Sequence, residues 1–186
     1  MMFLLQLERS DSMEQKEDIR ELCGNLAVEN FKSGLNCCES VYNALLRAGV
    51  LEGVDPKTQA MCIGFGGGIG LSGHTCGALS GMVMAGGALY GRPDPYAVSD
   101  DVRMKEIAGK YYRRYNKMVA DFNAAFGSTN CRDICAAHGE WASKDRKKNC
   151  LKMIASTAKM AYDNLQMSQE EAFAIPYEKD NMGGAK

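Results

Sequence analysis

Eight cysteines, Cys23, Cys37, Cys38, Cys62, Cys76, Cys131, Cys135 and Cys150, stand in a chain of 186 residues. Thiols at this density carry three kinds of chemistry: metal or cluster ligation, thiol–disulfide exchange and nucleophilic attack. The opening MMFLLQLERS has a short apolar run without a charged leader or a small-residue cleavage site, so it does not read as a signal peptide. The expected location is therefore cytoplasmic. In a reducing compartment, cysteines serve as core residues, metal ligands or reactive thiols more often than as structural disulfides.

The positions of four of them are suggestive. Cys37 starts the helical run CCESVYNALLRAG behind Asn36, Cys76 opens CGALSGMVMAGGALYG, and Cys131 opens NCRDICAAHG behind Asn130. Cys150 shares a helical stripe with Ile154, Thr157 and Ala161. Four helices thus supply one cysteine each, three of them near an N-terminus, where the helix dipole favours thiolate. Two chemistries fit. Four thiolates form the ligand set of a zinc ion or an Fe-S cluster; alternatively, one or two dithiol pairs exchange electrons with a partner. There is no CxxC, so neither a thioredoxin motif nor a zinc-ribbon knuckle is present.

Further ligand candidates lie nearby. Cys131, Cys135 and His138 fall at i, i+4 and i+7 and share one helix face, and His74 lies two residues before Cys76. For His138 the competing reading is a basic residue in the last turn of a helix, favoured by the dipole. A weaker alternative makes Cys76 an enzyme nucleophile with His74 or His138 as base. Cys23 and Cys62 sit on apolar faces and read as core packing.

The segments NCCESV, CGALSG at 76–81, FGSTNC at 126–131 and Cys150, in that order, resemble the C_GCAxxG_C_C family, which carries a CGAxxG motif and three further cysteines. The resemblance runs from about residue 34 to 155. It identifies Cys37, Cys76, Cys131 and Cys150 as the signature cysteines and implies redox activity, with electron transfer to a partner protein. It fixes no general reaction. Cys38 replaces the small residue often found after the first cysteine, and Cys23, Cys62 and Cys135 are additional. A non-redox interaction module built on structural zinc is the alternative.

The stretch GFGGGIGLSGHTCGALSG, residues 64–81, bears three readings. Gly68, Gly70 and Gly73 satisfy GxGxxG, but no strand pattern precedes them and no GxxxxGK[ST] is present, so a phosphate cradle is disfavoured. Residues 58–91 lack Asp, Glu, Lys and Arg, yet glycine and polar residues dilute the run. A buried core helix suits it better than a membrane span. Gly73, Gly77, Gly81 and Ala85 recur every four residues, which leaves a nearly bare helix face that needs a close neighbour, either another backbone or a bound cofactor at Gly77 and Gly81.

The elements that position these residues are helical throughout, and no alternating strand pattern persists. An all-α, compact multi-helix bundle is predicted, with the glycine-rich connection leading into a central helix. Helices are expected over 13–33, from Cys37 to Gly49, from Asp55 into the glycines, over 76–91, from about 96 to 126, over 130–139 and from about 143 to 165. Residues 1–12 read as a flexible extension and 167–186 as a loosely held tail, around one domain over 13–166. Arg113, Arg114 and the Lys144–Lys148 group read as solvated helix faces. Twenty-two Lys plus Arg against 23 Asp plus Glu leave a net charge of -1, which excludes the basic excess of a nucleic-acid binder. A homodimer is compatible with the long amphipathic helices.

Overall fold

The computed structural model describes residues 2–177 and 182. Its elements are α1 (Met2–Lys32), α2 (Cys37–Arg47), a 3₁₀ helix (Pro56–Phe65), α3 (Gly77–Tyr90), α4 (Asp100–Glu106), a π-helical turn (Ile107–Tyr111), α5 (Tyr112–Phe126), α6 (Cys131–Cys135), a 3₁₀ turn (Ala136–His138), α7 (Lys144–Leu165) and α8 (Gln169–Ala174). Among the described residues there is no strand, and a single antiparallel bridge joins Thr75 to Asn130. The fold is all-α, as the periodicity predicts.

Local chemistry sets the boundaries that matter for the thiols. The Asn36 side chain accepts from the backbone N–H groups of Cys38 and Glu39, while the Glu39 carboxylate accepts from Asn36 N, a complete capping box ahead of α2. Asp55 caps the next segment and Pro56 occupies its first turn. That segment winds as 3₁₀ rather than α. Two of its carbonyls, those of Cys62 and Ile63, accept instead from the Asn36 side-chain amide at 3.4 and 3.2 Å. The helix that the 3-4 pattern predicts over about 96–126 begins at Asp100 and continues to Phe126 through one π turn. Gly127 ends it in the left-handed conformation.

Helix α3 lies at the centre and packs against α2, α5, α7 and the 3₁₀ helix, while α1 covers α2 and α7. Tyr42, Phe122, Leu45, Met82, Met118 and Ile154 are the largest fully buried side chains of the core. The approach of α2 to α3 is too close for side chains. A Cβ on Gly81 would stand 2.7 Å from the Cys38 carbonyl oxygen, and one on Gly77 would stand 2.7 Å from the Phe65 carbonyl and 3.1 Å from Cys37 Cβ. The chain itself therefore occupies the space in front of both glycines. No helix among the described residues is long and apolar enough to cross a membrane.

Three expectations are revised. Helix α1 starts at Met2, so residues 2–12, read as a flexible extension, have helical backbone. The tail is held as far as residue 177: Ser168 and Glu171 form a capping box, Ala172 is buried, and α8 packs against α5. The remainder of the tail lies outside the described residues, apart from residue 182. Arg114 is buried rather than solvated. It donates to the carbonyls of Asn164, Met167 and Ser168 at 2.8, 2.8 and 2.9 Å and stacks over Tyr90, so its charge satisfies the free carbonyls at the end of α7. The amphipathic spacing of α5 did not foretell this, because the partners come from a distant part of the chain.

The two kinds of glycine in α3 make opposite predictions. Gly81→Ala pushes a methyl into the α2 backbone and is expected to destabilise by about 1–3 kcal/mol in denaturant unfolding. Gly87→Ala, with no atom within 4 Å of the added carbon, is expected to stabilise by up to about 1 kcal/mol.

Candidate functional site

Backbone hydrogen bonds bring the first pair of signature cysteines together. Cys76 N donates to the Thr129 carbonyl at 2.8 Å and Cys131 N donates to the His74 carbonyl at 2.7 Å, so the loops ahead of α3 and α6 are clamped side by side. The close contact of α2 with α3 sets Cys37 beside Cys76. Helix α7 then delivers Cys150, and one turn of α6 carries Cys135 to the same place. The thiols of Cys37, Cys76, Cys131, Cys135 and Cys150 lie close enough to feel one another's charge. All eight cysteines are free thiols.

Burial dominates the acid–base behaviour of this cluster. It pushes the Cys131 thiol up to about 11 and the Cys76 thiol up to about 12, with thiolate repulsion from neighbouring cysteines adding to both. Cys37 and Cys150 are pushed up by the same desolvation. Helix N-termini do act in the expected sense: the backbone N–H groups of Ala78 and Leu79 lower Cys76. They are outweighed, because the dipole is worth about 1 kcal/mol and removal of a thiolate from water costs more. At neutral pH Cys37, Cys76, Cys131 and Cys150 therefore rest as protonated thiols.

The positive charge in the cluster is Arg146. It is 7% exposed, stacks on the Trp141 ring at 3.7 Å from the centroid, donates to the Trp141 carbonyl, and directs Nη2 to Cys131 Sγ at 3.7 Å. Its charge lowers Cys37, Cys131 and Cys150, opposing burial in each. Sequence reasoning assigned this residue to a solvated face and missed its role. The available signal was spacing: Arg146 precedes Cys150 by four residues and so shares its face of α7.

The glycine run covers the cluster. Gly67, Gly68, Ile69, Gly70 and Leu71 all have positive φ, between 57 and 75°. Five consecutive left-handed residues are tolerable because three are glycine; Ile69 and Leu71 each pay about 1–2 kcal/mol for the same geometry. Gly67 provides a backbone hydrogen bond to Cys37, and Leu71 stands against Trp141 between two cavities. One, of 240 Å³, reaches Cys131 and Cys135. The other, of 400 Å³, reaches Cys37 and Cys150 past Phe31 and Ile63. Gly67, Leu71, Trp141 and Arg146 wall both.

The remaining candidates are placed differently. The His74 side chain is exposed, and its contribution here is the main-chain bond to Cys131. His138 lies in the 3₁₀ turn after α6 and pairs through Nδ1 with Asp145 at 2.7 Å, in the first turn of α7. The face shared by Cys131, Cys135 and His138 in an ideal helix is broken, since α6 tightens to 3₁₀ at Ala136. Among the described residues no three His, Cys, Asp or Glu side chains are arranged to hold a metal ion.

The family described as "Putative redox-active protein (C_GCAxxG_C_C)" matches residues 35–164. An uncharacterized protein of Archaeoglobus fulgidus is 27% identical over 143 residues, which cover 75% of this chain and 91% of that protein. No solved structure matches.

The raised thiols set a pH dependence. Alkylation of Cys131, followed by peptide mass spectrometry, is expected to accelerate about tenfold per pH unit from pH 8 to 10, since only the thiolate reacts. A plateau below pH 9 would contradict the burial argument.

Proposed function

The chain belongs to the C_GCAxxG_C_C family, described as "Putative redox-active protein", and from that premise we propose that it is a thiol–disulfide oxidoreductase acting through its five clustered cysteines. The observation that carries this reading is the convergence of Cys37, Cys131, Cys135 and Cys150 around the buried Arg146, with Cys76 beside Cys37 and Cys131. Cys131 is the attacking thiol, because the guanidinium that touches its sulfur stabilises the thiolate as it forms. Its thiolate attacks one sulfur of a substrate disulfide, the other sulfur leaves as a thiolate that takes up a proton, and a mixed disulfide remains. Cys135 lies on the same helical turn, lines the same cavity, and is the cysteine that bears most on Cys131. It attacks the Cys131 sulfur, expels the second substrate thiol, and leaves a Cys131–Cys135 disulfide. A dithiol partner protein returns both cysteines to thiols by the same exchange in reverse. Gly77 and Gly81 contribute by admitting α2 to within backbone contact of α3.

Ligation of an Fe-S cluster or zinc by Cys37, Cys76, Cys131 and Cys150 is the competing use of the same thiols. The donors converge in type and number, but they are not disposed around one ion, so no step is routed through a metal.

With a small aromatic disulfide as substrate, Cys131→Ser is expected to abolish exchange. Cys135→Ser is expected to accumulate the mixed disulfide on Cys131, visible by mass spectrometry. Arg146→Gln is expected to slow the first step by roughly tenfold or more, as loss of a charge-assisted contact predicts. Unchanged rates in both Cys131→Ser and Arg146→Gln, or stoichiometric iron or zinc in anaerobically purified protein, would overturn the proposal.

A further inference from the structure

A charge held out of water calls for an opposite charge beside it, and the chain supplies none to Arg146. At 7% exposure, its guanidinium donates to the Trp141 carbonyl and to Cys131 Sγ. No carboxylate among the described residues pairs with it, and the groups that act on its charge are thiols. Cys131 and Cys150 rest protonated at neutral pH, so the buried cation stands without a counter-charge in the resting protein.

A second guanidinium faces the same space. Arg132 N donates to the Gly73 carbonyl at 2.9 Å and its Nη2 to the Ser72 carbonyl at 3.1 Å. The side chain crosses Gly73 so closely that a Cβ there would stand 3.0 Å from Nε. Gly73, the last glycine of the GxGxxG pattern, thus seats an arginine. Arg132 and Arg146 both wall the 240 Å³ cavity that holds Cys131 and Cys135, and no Asp or Glu lines it. The acids nearest in sequence are engaged elsewhere: Asp133 accepts from Ser128 and Asn130, and Asp145 pairs with His138. The neighbouring cavity over Cys37 and Cys150, by contrast, includes Glu39.

Charge, shape and size select the occupant. Each guanidinium offers five N–H donors, of which the described residues use only some. A planar carboxylate matches such a fork. Leu71 and the Trp141 ring supply an apolar wall beside it. The cavity is smaller than the roughly 300–1,000 Å³ that encloses a drug-sized ligand, so it takes one half of a small molecule. Because Arg146 itself touches the Cys131 sulfur, an anion on its unused donors lies only a few atoms from the atom that Cys131 attacks.

We infer that the substrate is a low-molecular-weight disulfide bearing a carboxylate a few atoms from sulfur, with Arg132 and Arg146 as the carboxylate site. This rests on the thiol–disulfide reading and names its substrate class. The Cys131 thiolate attacks the sulfur of the bound half, and the other half leaves as a thiolate that takes up a proton. Cys135, losing its proton to solvent, attacks the Cys131 sulfur, and the bound half leaves as a thiolate and is protonated. Two electrons pass from the two cysteines to the substrate disulfide, which becomes two carboxylate-bearing thiols.

Three disulfides of similar size separate the effect of charge: dithiodipropionate, a dianion; bis(hydroxyethyl) disulfide, neutral; and cystamine, a dication. Each is reacted with the reduced protein, exchange at Cys131 is followed by peptide mass spectrometry, and the rate is divided by that of free N-acetylcysteine amide. The dianion is expected to exceed the neutral disulfide by about tenfold, with cystamine slower than both. In Arg132→Gln the dianion-to-neutral ratio is expected to fall about tenfold, and Arg132→Lys to recover part of it. Equal normalised rates for the three disulfides, or a ratio unmoved in Arg132→Gln, overturn the carboxylate site and leave the thiol–disulfide reading standing. No exchange with any of the three overturns both. Should the glutamine variant not fold, the charge series on the unaltered protein decides.

Discussion

Contact between the backbones of α2 and α3 is the constraint on which the rest of the molecule depends. With a Cβ at Gly81 only 2.7 Å from the Cys38 carbonyl oxygen and one at Gly77 3.1 Å from Cys37 Cβ and 3.3 Å from Cys38 N, the two helices meet at a distance no other residue type permits. Each glycine costs the helix about 1 kcal/mol in propensity, and the return is positional. The start of α3 is pressed against the start of α2, so Cys76 comes beside Cys37, while the bridge at Thr75 and Asn130 adds Cys131. The same contact that assembles the five-thiol cluster also sets Cys38 against Met84, on the other side of α2.

Enclosure then governs the chemistry. A thiol at a helix N-terminus in water is activated; the same thiol under a left-handed glycine loop and an indole is held protonated. Three of the five cysteines meet helix N-termini, yet Cys76 and Cys131 are pushed to about 12 and about 11. Arg146 offsets part of that penalty and does so unevenly, since its guanidinium touches Cys131 alone at hydrogen-bond range. One charge between the two cavities thus acts unequally on the thiols that line them. Trp141 holds that charge in place by stacking, and strain in Ile69 and Leu71 is the cost of the cover.

Much of the architecture was legible in the residues. Asn36, Asp55, Gly127 and the 3-4 spacing of Met104 through Phe126 announce caps and helices by local chemistry, and the family signature identifies four of the cysteines. What was not legible depends on contacts between distant segments. Arg114 and Arg146 stand in charged helical runs that resemble solvated faces, and only the carbonyls at the end of α7 and the sulfur of Cys131 reveal them as buried. His138 shares a face with Cys131 and Cys135 in an ideal helix, but the change to 3₁₀ winding after Cys135 turns it toward Asp145. The glycines at 67–70 announce an unusual backbone, whereas its left-handed course over the thiols follows from where α2 and α7 place Cys37 and Trp141.

The central claim is that the five clustered thiols are the redox unit. It is tested most directly by equilibrating the reduced protein with one equivalent of a small oxidised dithiol and mapping the resulting disulfide by peptide mass spectrometry. The account predicts a single linkage between two members of the set Cys37, Cys76, Cys131, Cys135 and Cys150, with Cys131–Cys135 foremost and Cys23 free. A linkage through Cys23, or a protein whose thiols all remain reduced against a strongly oxidising couple, would contradict it.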